Sequence, residues 1–263
     1  MHSPTRWLAP VALALAVLLS SCDLLSGGDD TPGTEDPQET LEGDRIATSQ
    51  GELILRPINH ATFLMYWRGK AIYVDPVGGA ERFQGLPPPA LILVTDIHAD
   101  HYSADTLAAL FQPGTVIVAP KAVRDMMPAT VMAVTRELAN GQTLTEAGIP
   151  LEAVPMYNIT EGRLTNHPKG RGNGYVLTLG DKRVYIAGDT EATAELRALK
   201  NIDVAFIPMN LPFTMSVDQA ADGVRAFKPK IVYPYHHRNS DVNEFARLVG
   251  TDVGVEVRQR TWY

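Results

Sequence analysis

Leu91-Ile92-Leu93-Val94-Thr95-Asp96-Ile97-His98-Ala99-Asp100-His101 is the stretch around which this chain is organised. Its first five residues are of strand type, and four potential metal ligands follow within six positions. An extended segment repeats every two residues, so Asp96 and His98 point to the same side as the strand runs out. Asp100 and His101 return toward the same point if the chain turns after His98, and Ser103 stands ready to cap a following helix. Carboxylates and imidazoles crowded at a strand end are the donor set of a divalent-cation site, with metal–ligand distances of about 2.0–2.2 Å. A polar loop with two surface histidines is the competing account, and D-x-H-x-D-H directly after a buried strand weighs against it.

The stretch resembles the H-x-H-x-D-H signature of the metallo-β-lactamase superfamily, with Asp96 where the first histidine is expected. Further segments carry the same resemblance: Asn59-His60-Ala61-Thr62-Phe63-Leu64, then Ile72-Tyr73-Val74-Asp75-Pro76, then Ala187-Gly188-Asp189-Thr190. Pro208-Met209-Asn210-Leu211-Pro212-Phe213-Thr214-Met215 and Lys228-Pro229-Lys230-Ile231-Val232-Tyr233-Pro234-Tyr235-His236 add to it. These segments look most like the lactonase and phosphodiesterase branches, typified by ascorbate-6-phosphate lactonases and N-acylphosphatidylethanolamine phospholipase D-like enzymes.

The resemblance implies an α/β fold, a four-layer αββα sandwich, with two divalent cations, zinc or manganese, and iron as a further option. Asp96, His98 and His167 would hold one cation, and Asp100, His101 and His236 the other. Asp189 would bridge them, and Asp100 would also act in catalysis. Around these, Asp75 is expected to orient a ligand and His237 to be a neighbour. Asn210 and Arg238 are candidate substrate contacts, and His60 is either a site residue or a hydrogen-bonded turn histidine. His167 is the least secure by position. The family's next histidine falls at a strand end, where Met156-Tyr157-Asn158 stand instead, and His167 is the first histidine beyond, in a Gly-rich loop. A surface-loop histidine is the alternative, with Asn158 or Tyr157 then nearest the expected place. Without metal company, Gly188-Asp189-Thr190 would be an ordinary helix start.

A cation lowers the pKa of its water from 15.7 to about 7 and stabilises the oxyanion of a transition state. The expected function is therefore metal-dependent hydrolysis of a small ester-like substrate, a lactone or a phosphodiester such as a lipid headgroup. Asp96 adds a negative charge and a harder ligand than imidazole, a bias toward manganese or iron. The alternative is a catalytically degenerate fold used for binding, with Asp96 and the missing strand-end histidine as its signs.

Residues 1–21 read as a secretory signal: Arg6, then an apolar run from Trp7 to Leu19 too short to span a bilayer comfortably. Leu19-Ser20-Ser21-Cys22 looks like a bacterial lipoprotein box, which would acylate Cys22, the chain's one cysteine, and leave no thiol for a disulfide or a metal. The expected localisation is exported and membrane-anchored, on the periplasmic or cell-surface side. Residues 22–50 read as a disordered acidic tether, with eight acids against Arg45. The body, 51–263, holds 22 acids against 21 Lys and Arg, so the net charge of −7 belongs to the tether and no basic face for nucleic acid is evident. Strand signals fall at Glu52–Ile58, Thr62–Trp67, Ala71–Val74, Thr115–Val118, Val131–Arg136, Leu151–Pro155, Tyr175–Leu179, Arg183–Ile186, Val204–Ile207, Ile231–Tyr235 and Val255–Arg258. Helix signals fall at 103–112, Lys121–Met126, Val217–Phe227 and Val242–Val249.

Overall fold

The computed structural model of the chain describes residues 1–2 and 37–263; the rest of the segment expected to be a leader, Cys22 and most of the acidic segment lie outside the described residues. After a helical turn, α1 (Pro37–Thr40), the strands β1 (Asp44–Thr48), β2 (Gly51–Asn59), β3 (Thr62–Trp67) and β4 (Lys70–Val74) form an antiparallel meander. Arg68 and Gly69, at φ 51° and 72°, are the two left-handed residues that a tight hairpin between β3 and β4 requires. The sheet then continues in parallel with β5 (Pro89–Leu93), β6 (Val116–Ala119) and β7 (Thr135–Glu137). Its crossovers carry a 3-10 turn (Ala80–Phe83), α2 (Ala104–Leu110), α3 (Lys121–Arg124) and α4 (Ala129–Met132).

The second half repeats the plan. β8 (Thr143–Glu146), β9 (Ile149–Met156), β10 (Gly172–Leu179) and β11 (Lys182–Ile186) are antiparallel, and β12 (Val204–Pro208), β13 (Ile231–Tyr235) and β14 (Glu256–Val257) follow in parallel. Here α5 (Ala194–Ala198), α6 (Val217–Phe227) and α7 (Val242–Val249) make the crossovers. Each seven-stranded sheet runs in unbroken sequence order.

Side-chain alternation explains why the sheets stack and why helices cover them. Along β2, Leu53 and Leu55 enter the core between the sheets, while Ile54 packs with Leu107, Val123 and Val131 on the helix side. β11 does the same in the other sheet: Val184 and Ile186 face inward, and Tyr185 packs with Leu196, Val224 and Phe245. Strands buried on both faces read as continuous apolar runs rather than as alternation. The result is four layers, helix–sheet–sheet–helix. Phe206 anchors the inter-sheet layer, stacked on Phe63 at 4.2 Å and Tyr233 at 5.2 Å between ring centroids.

Two expectations are corrected. The tether does not extend to residue 50, because Asp44–Thr48 is a sheet strand whose Ile46 is buried opposite Leu53. Asp44 is neutralised by Arg260 at 2.7 Å and accepts from Tyr233 Oη at 2.6 Å, so its acidity serves the fold rather than a tether. Val131–Arg136 is not one strand, since Pro128 opens the helical turn α4 and only Thr135 onward pairs with β6.

Candidate metal centre

The candidate ligands gather where parallel strands end, at the carboxyl edge of both sheets. Asp75 follows β4, Asp96 to His101 follow β5, Asp189 follows β11, Asn210 follows β12 and His236 follows β13. His60 lies in the β2–β3 turn and His167 in the loop between β9 and β10. Ser103 caps α2 by accepting from the Thr106 amide, which starts the helix immediately after the ligand run. Gly188, at φ 65°, makes the left-handed turn into Asp189, and a Cβ there would stand 2.4 Å from Met156 Sδ.

Asp189 is the hub. Its Oδ2 lies 3.2 Å from His101 Nε2 and 3.1 Å from His167 Nε2, and its Oδ1 lies 3.2 Å from His236 Nε2. Asp100 Oδ2 is 3.4 Å from His236 Nε2, and Asp100 Oδ1 is 3.9 Å from His101 Nε2. The Nε2 atoms of His101, His167 and His236 and Oδ1 of Asp189 are buried without a hydrogen-bond partner. Each such group costs about 1–3 kcal/mol. Donors bound tetrahedrally at about 2.0–2.2 Å stand roughly 3.3–3.6 Å apart, so a divalent cation held by His101, Asp189 and His236 fits these spacings and satisfies three of the orphaned atoms, with Asp100 beside His236 as the fourth donor within reach.

The surrounding residues fix the ligands. Asp75, fully buried, accepts from the Thr95 amide at 2.7 Å, from Thr95 Oγ1 at 2.7 Å and from His101 Nδ1 at 2.8 Å. With its proton on Nδ1, His101 presents the Nε2 lone pair to the centre. Asn158 does the same for His167: its amide nitrogen donates to the Arg163 and Phe213 carbonyls, so its Oδ1 is the acceptor at 3.1 Å from His167 Nδ1. Tyr263 Oη accepts from the Arg238 amide at 2.6 Å and stands 2.8 Å from His60 Nδ1. A Tyr263 hydroxyl donated to Nδ1 leaves His60 Nε2 to donate to Asp100 Oδ2 at 3.2 Å, so His60 holds Asp100 in place. His60, Asp75, His236 and Arg238 all have φ between 45° and 55°, a left-handed concentration of strain that marks a functional site.

Electrostatics follow from this packing. Burial pushes the Asp189 carboxyl up, but the charges of His101 and His236 prevail and hold it well below the usual carboxylate range. Asp100 behaves alike, its burial outweighed by His236 and His60. For His101, burial disfavours the imidazolium, yet Asp189 and Asp75 outweigh it and raise its pKa well above the ordinary value.

Asp96, His98 and His167 also come within ligand spacing of one another. Here, however, a guanidinium intervenes. Arg171 Nε donates to Asp96 Oδ1 at 3.1 Å and Nη2 to Asp96 Oδ2 at 2.9 Å, a two-pronged pair. His98 Nδ1 lies 2.9 Å from Asp96 Oδ2, and that hydrogen bond raises the His98 pKa above its ordinary value.

A cavity of about 370 Å³ opens over the centre, lined by His98, Asp100, His167, Asp189, Asn210, Phe213, His236 and Arg238 among others. Asp96, His101 and His60 stand behind this lining in contact with its residues, and Asp75 behind His101, while His237 turns aside: its Nδ1 lies 3.1 Å from the Arg238 carbonyl and its ring packs edge-on to Tyr263. Sequence reading missed Arg171, Thr95 and Tyr263, and treated Asn158 as a stand-in ligand rather than a residue that positions one. None of these has a motif of its own: each takes its role only from the partner the fold sets against it, as it sets Arg171 against Asp96 across 75 residues.

Four layers with a cluster of histidines and aspartates at the strand ends define a hydrolase of the metallo-β-lactamase fold. A family model described as the β-lactamase superfamily domain matches residues 55–236, and the chain belongs to that family. Among its relatives, a UPF0173 protein of Pyrococcus furiosus is 33% identical over 72% of this chain and 86% of its own length. A UPF0173 metal-dependent hydrolase of Pyrococcus abyssi is 30% identical, over 76% of this chain and 93% of its own length. A Parabacteroides distasonis crystal structure, described as that of a metal-dependent hydrolase, is 39% identical with a TM-score of 0.77, covering 83% of this chain and 98% of its own. The chain is thus a metal-dependent hydrolase of this superfamily, with its metal-binding candidates among the residues above.

Proposed function

We propose that the chain hydrolyses a small phosphodiester, with a lipid headgroup as the preferred class, and that it works at a membrane surface through an acylated Cys22. The carrying observation is the composition of the cavity. Arg238 lines it together with Asp100, Asp189 and His236, so a guanidinium stands in the same space as the cation ligands. A phosphodiester anion uses such a group, whereas a neutral lactone does not. The volume, about 370 Å³, suits a headgroup rather than a polymer. Beside the cavity, Ile159, Leu164, Leu211 and Phe213 are exposed on two loops that Asn158 and Asn166 tie together through the Phe213 and Pro212 carbonyls. An apolar rim of this kind suits the acyl portion of a lipid.

When bound, the cation supplies an activated water and stabilisation of developing negative charge. The chain's own residues do the rest. Asp100, kept ionised, accepts a hydrogen from the attacking water and orients it, and His60 keeps that carboxylate from turning away. Arg238 binds a non-bridging oxygen of the substrate. Among the described residues no helix is long and apolar enough to cross a membrane, so a membrane location would rest on the leader and Cys22.

The test is hydrolysis by the purified, metal-loaded chain of three substrates: bis-p-nitrophenyl phosphate, a glycerophospholipid in mixed micelles, and a simple γ-lactone. The phosphodiesters should turn over, and R238A should raise KM about tenfold or more, the worth of one charged hydrogen bond. Lactone turnover with neither phosphodiester cleaved would overturn the proposal.

A further inference from the structure

The family plan has room for two cations, but the residues at the second position are already engaged. Asp96 has both oxygens on the Arg171 guanidinium, at 3.1 and 2.9 Å. Its Oδ2 also meets His98 Nδ1 at 2.9 Å. His98 Nε2 in turn lies 3.4 Å from Arg171 Nη2. The two hydrogens of Nη2 go to Asp96 and to the Asn166 carbonyl, so it is the guanidinium's positive charge that faces Nε2, while the acceptor-only carboxylate of Asp96 requires the imidazole proton on Nδ1. Nδ1 of His98 is taken by Asp96, and Nε2 faces a fixed positive charge 3.4 Å away that repels a cation. Of the three expected ligands at this position, His167 alone has a buried nitrogen without a partner, Nε2, and that atom lies 3.1 Å from Asp189.

Arg171 is held as firmly as the group it binds. Nη2 also donates to the Asn166 carbonyl at 2.5 Å, the side chain is only 18% exposed, and Asp96 is fully buried. A buried carboxylate without a partner is costly, so Asp96 keeps its guanidinium in place. The pair is also neutral overall, as an imidazole would be. An Asp in place of the family's histidine therefore adds no net charge here, and the hardness of Asp96 has no cation to act on.

We infer that this chain holds a single divalent cation, at His101, Asp189, His236 and Asp100, and that Arg171, paired to Asp96 and His98, supplies a fixed positive charge at the position of the second. This rests on the metal-dependent reading of the site and goes beyond it. The inference concerns occupancy, so its readout is stoichiometry, independent of any substrate.

The experiment uses the purified full-length chain in detergent, stripped with chelator, dialysed, and titrated with Mn²⁺ and separately with Zn²⁺. Calorimetry and elemental analysis after gel filtration count the bound equivalents. The wild-type chain should bind one equivalent of either metal, and R171K, which keeps the charge, should still bind one. R171Q and the double variant D96H/R171Q, which returns an imidazole to the first position, should move to two. Two equivalents on the wild-type chain would overturn the inference while leaving the hydrolase reading intact. No bound cation on the wild-type chain would sink both. A folded D96H/R171Q that stays at one equivalent would also overturn it, because something other than Arg171 would then limit occupancy. Should the variants fail to fold, the wild-type count still decides.

Discussion

Replacing Asp75 with asparagine removes one charge and one acceptor without touching a cation ligand, and its effect can be worked out in advance. Asp75 meets three donors with two oxygens: the Thr95 amide on Oδ1, and Thr95 Oγ1 and His101 Nδ1 on Oδ2. An asparagine has one oxygen, so its amide nitrogen must face at least one of those donors. With the nitrogen toward the Thr95 amide, a buried backbone donor is orphaned at a cost of about 1–3 kcal/mol. With the nitrogen toward His101, the imidazole must shift its proton to Nε2, the atom that points at Asp189, and its lone pair is lost to the cation. Residues that orient ligands in this way are worth about 10–100-fold in metal affinity, or about 1.4–2.8 kcal/mol. The backbone is no confounder, because asparagine tolerates the left-handed φ of 45° at this position. D75N should therefore bind Mn²⁺ or Zn²⁺ about 10–100-fold more weakly in a chelator competition. Its metal-free form should melt several degrees lower, at about 2–4 °C per kcal/mol for a domain of this size. An affinity within threefold of wild type, with an unchanged melting temperature, would refute the assigned role of Asp75.

Three further outcomes can be checked. Asp189→Ala removes the carboxylate that three histidines approach at 3.1–3.2 Å, and should abolish stoichiometric cation binding with a loss in kcat/KM on the order of 10³-fold or more; a variant that keeps its metal by elemental analysis would contradict the hub assignment. His101 in the metal-free protein has its pKa raised by Asp189 and Asp75, so its contribution to stability is complete below the unfolded value of about 6.5 and fades as pH rises through the higher folded value. Protons compete with the cation for the same nitrogen, so the rise in melting temperature on adding metal should grow between pH 6 and pH 8, and differential scanning fluorimetry showing the reverse trend would contradict it. Cys22→Ala should release the protein from the membrane or leave it uncleaved, and unchanged processing and detergent partition would exclude the lipid anchor.

Much of the scaffold was legible because the strands are apolar on both faces and end in chemically loaded turns. β3, α6, β13 and α7 coincide with their sequence signals, where a capping residue or a turn glycine sets the limit. β1 was hidden because Asp44 and Arg45 flank a single buried apolar residue, Ile46, and the pattern reads as part of an acidic run. β8, Thr143–Glu146, has no fully buried position and only one apolar residue, Leu144, so its alternation is too weak to read. At the site, the D-x-H-x-D-H run announces itself by spacing, whereas His167 lies in an irregular loop and comes to the cluster only through the fold, 3.1 Å from Asp189. The residues that position these ligands carry no such signal. Thr95 and Asn158 are ordinary polar residues until the fold sets each against its partner, and Arg171 sits in a Gly-rich loop with nothing local to mark it.

Trp262 and Tyr263 brace the site from behind. Trp262 is buried against Phe63 and Tyr235, its carbonyl accepts the His60 amide at 2.9 Å, and Tyr263 holds both His60 and Arg238. A change at Tyr263 is therefore a chemical intervention at the metal centre rather than a surface edit: Tyr263→Phe keeps the ring but removes the hydroxyl that steadies the tautomer of His60, and activity would fall before any change in melting behaviour.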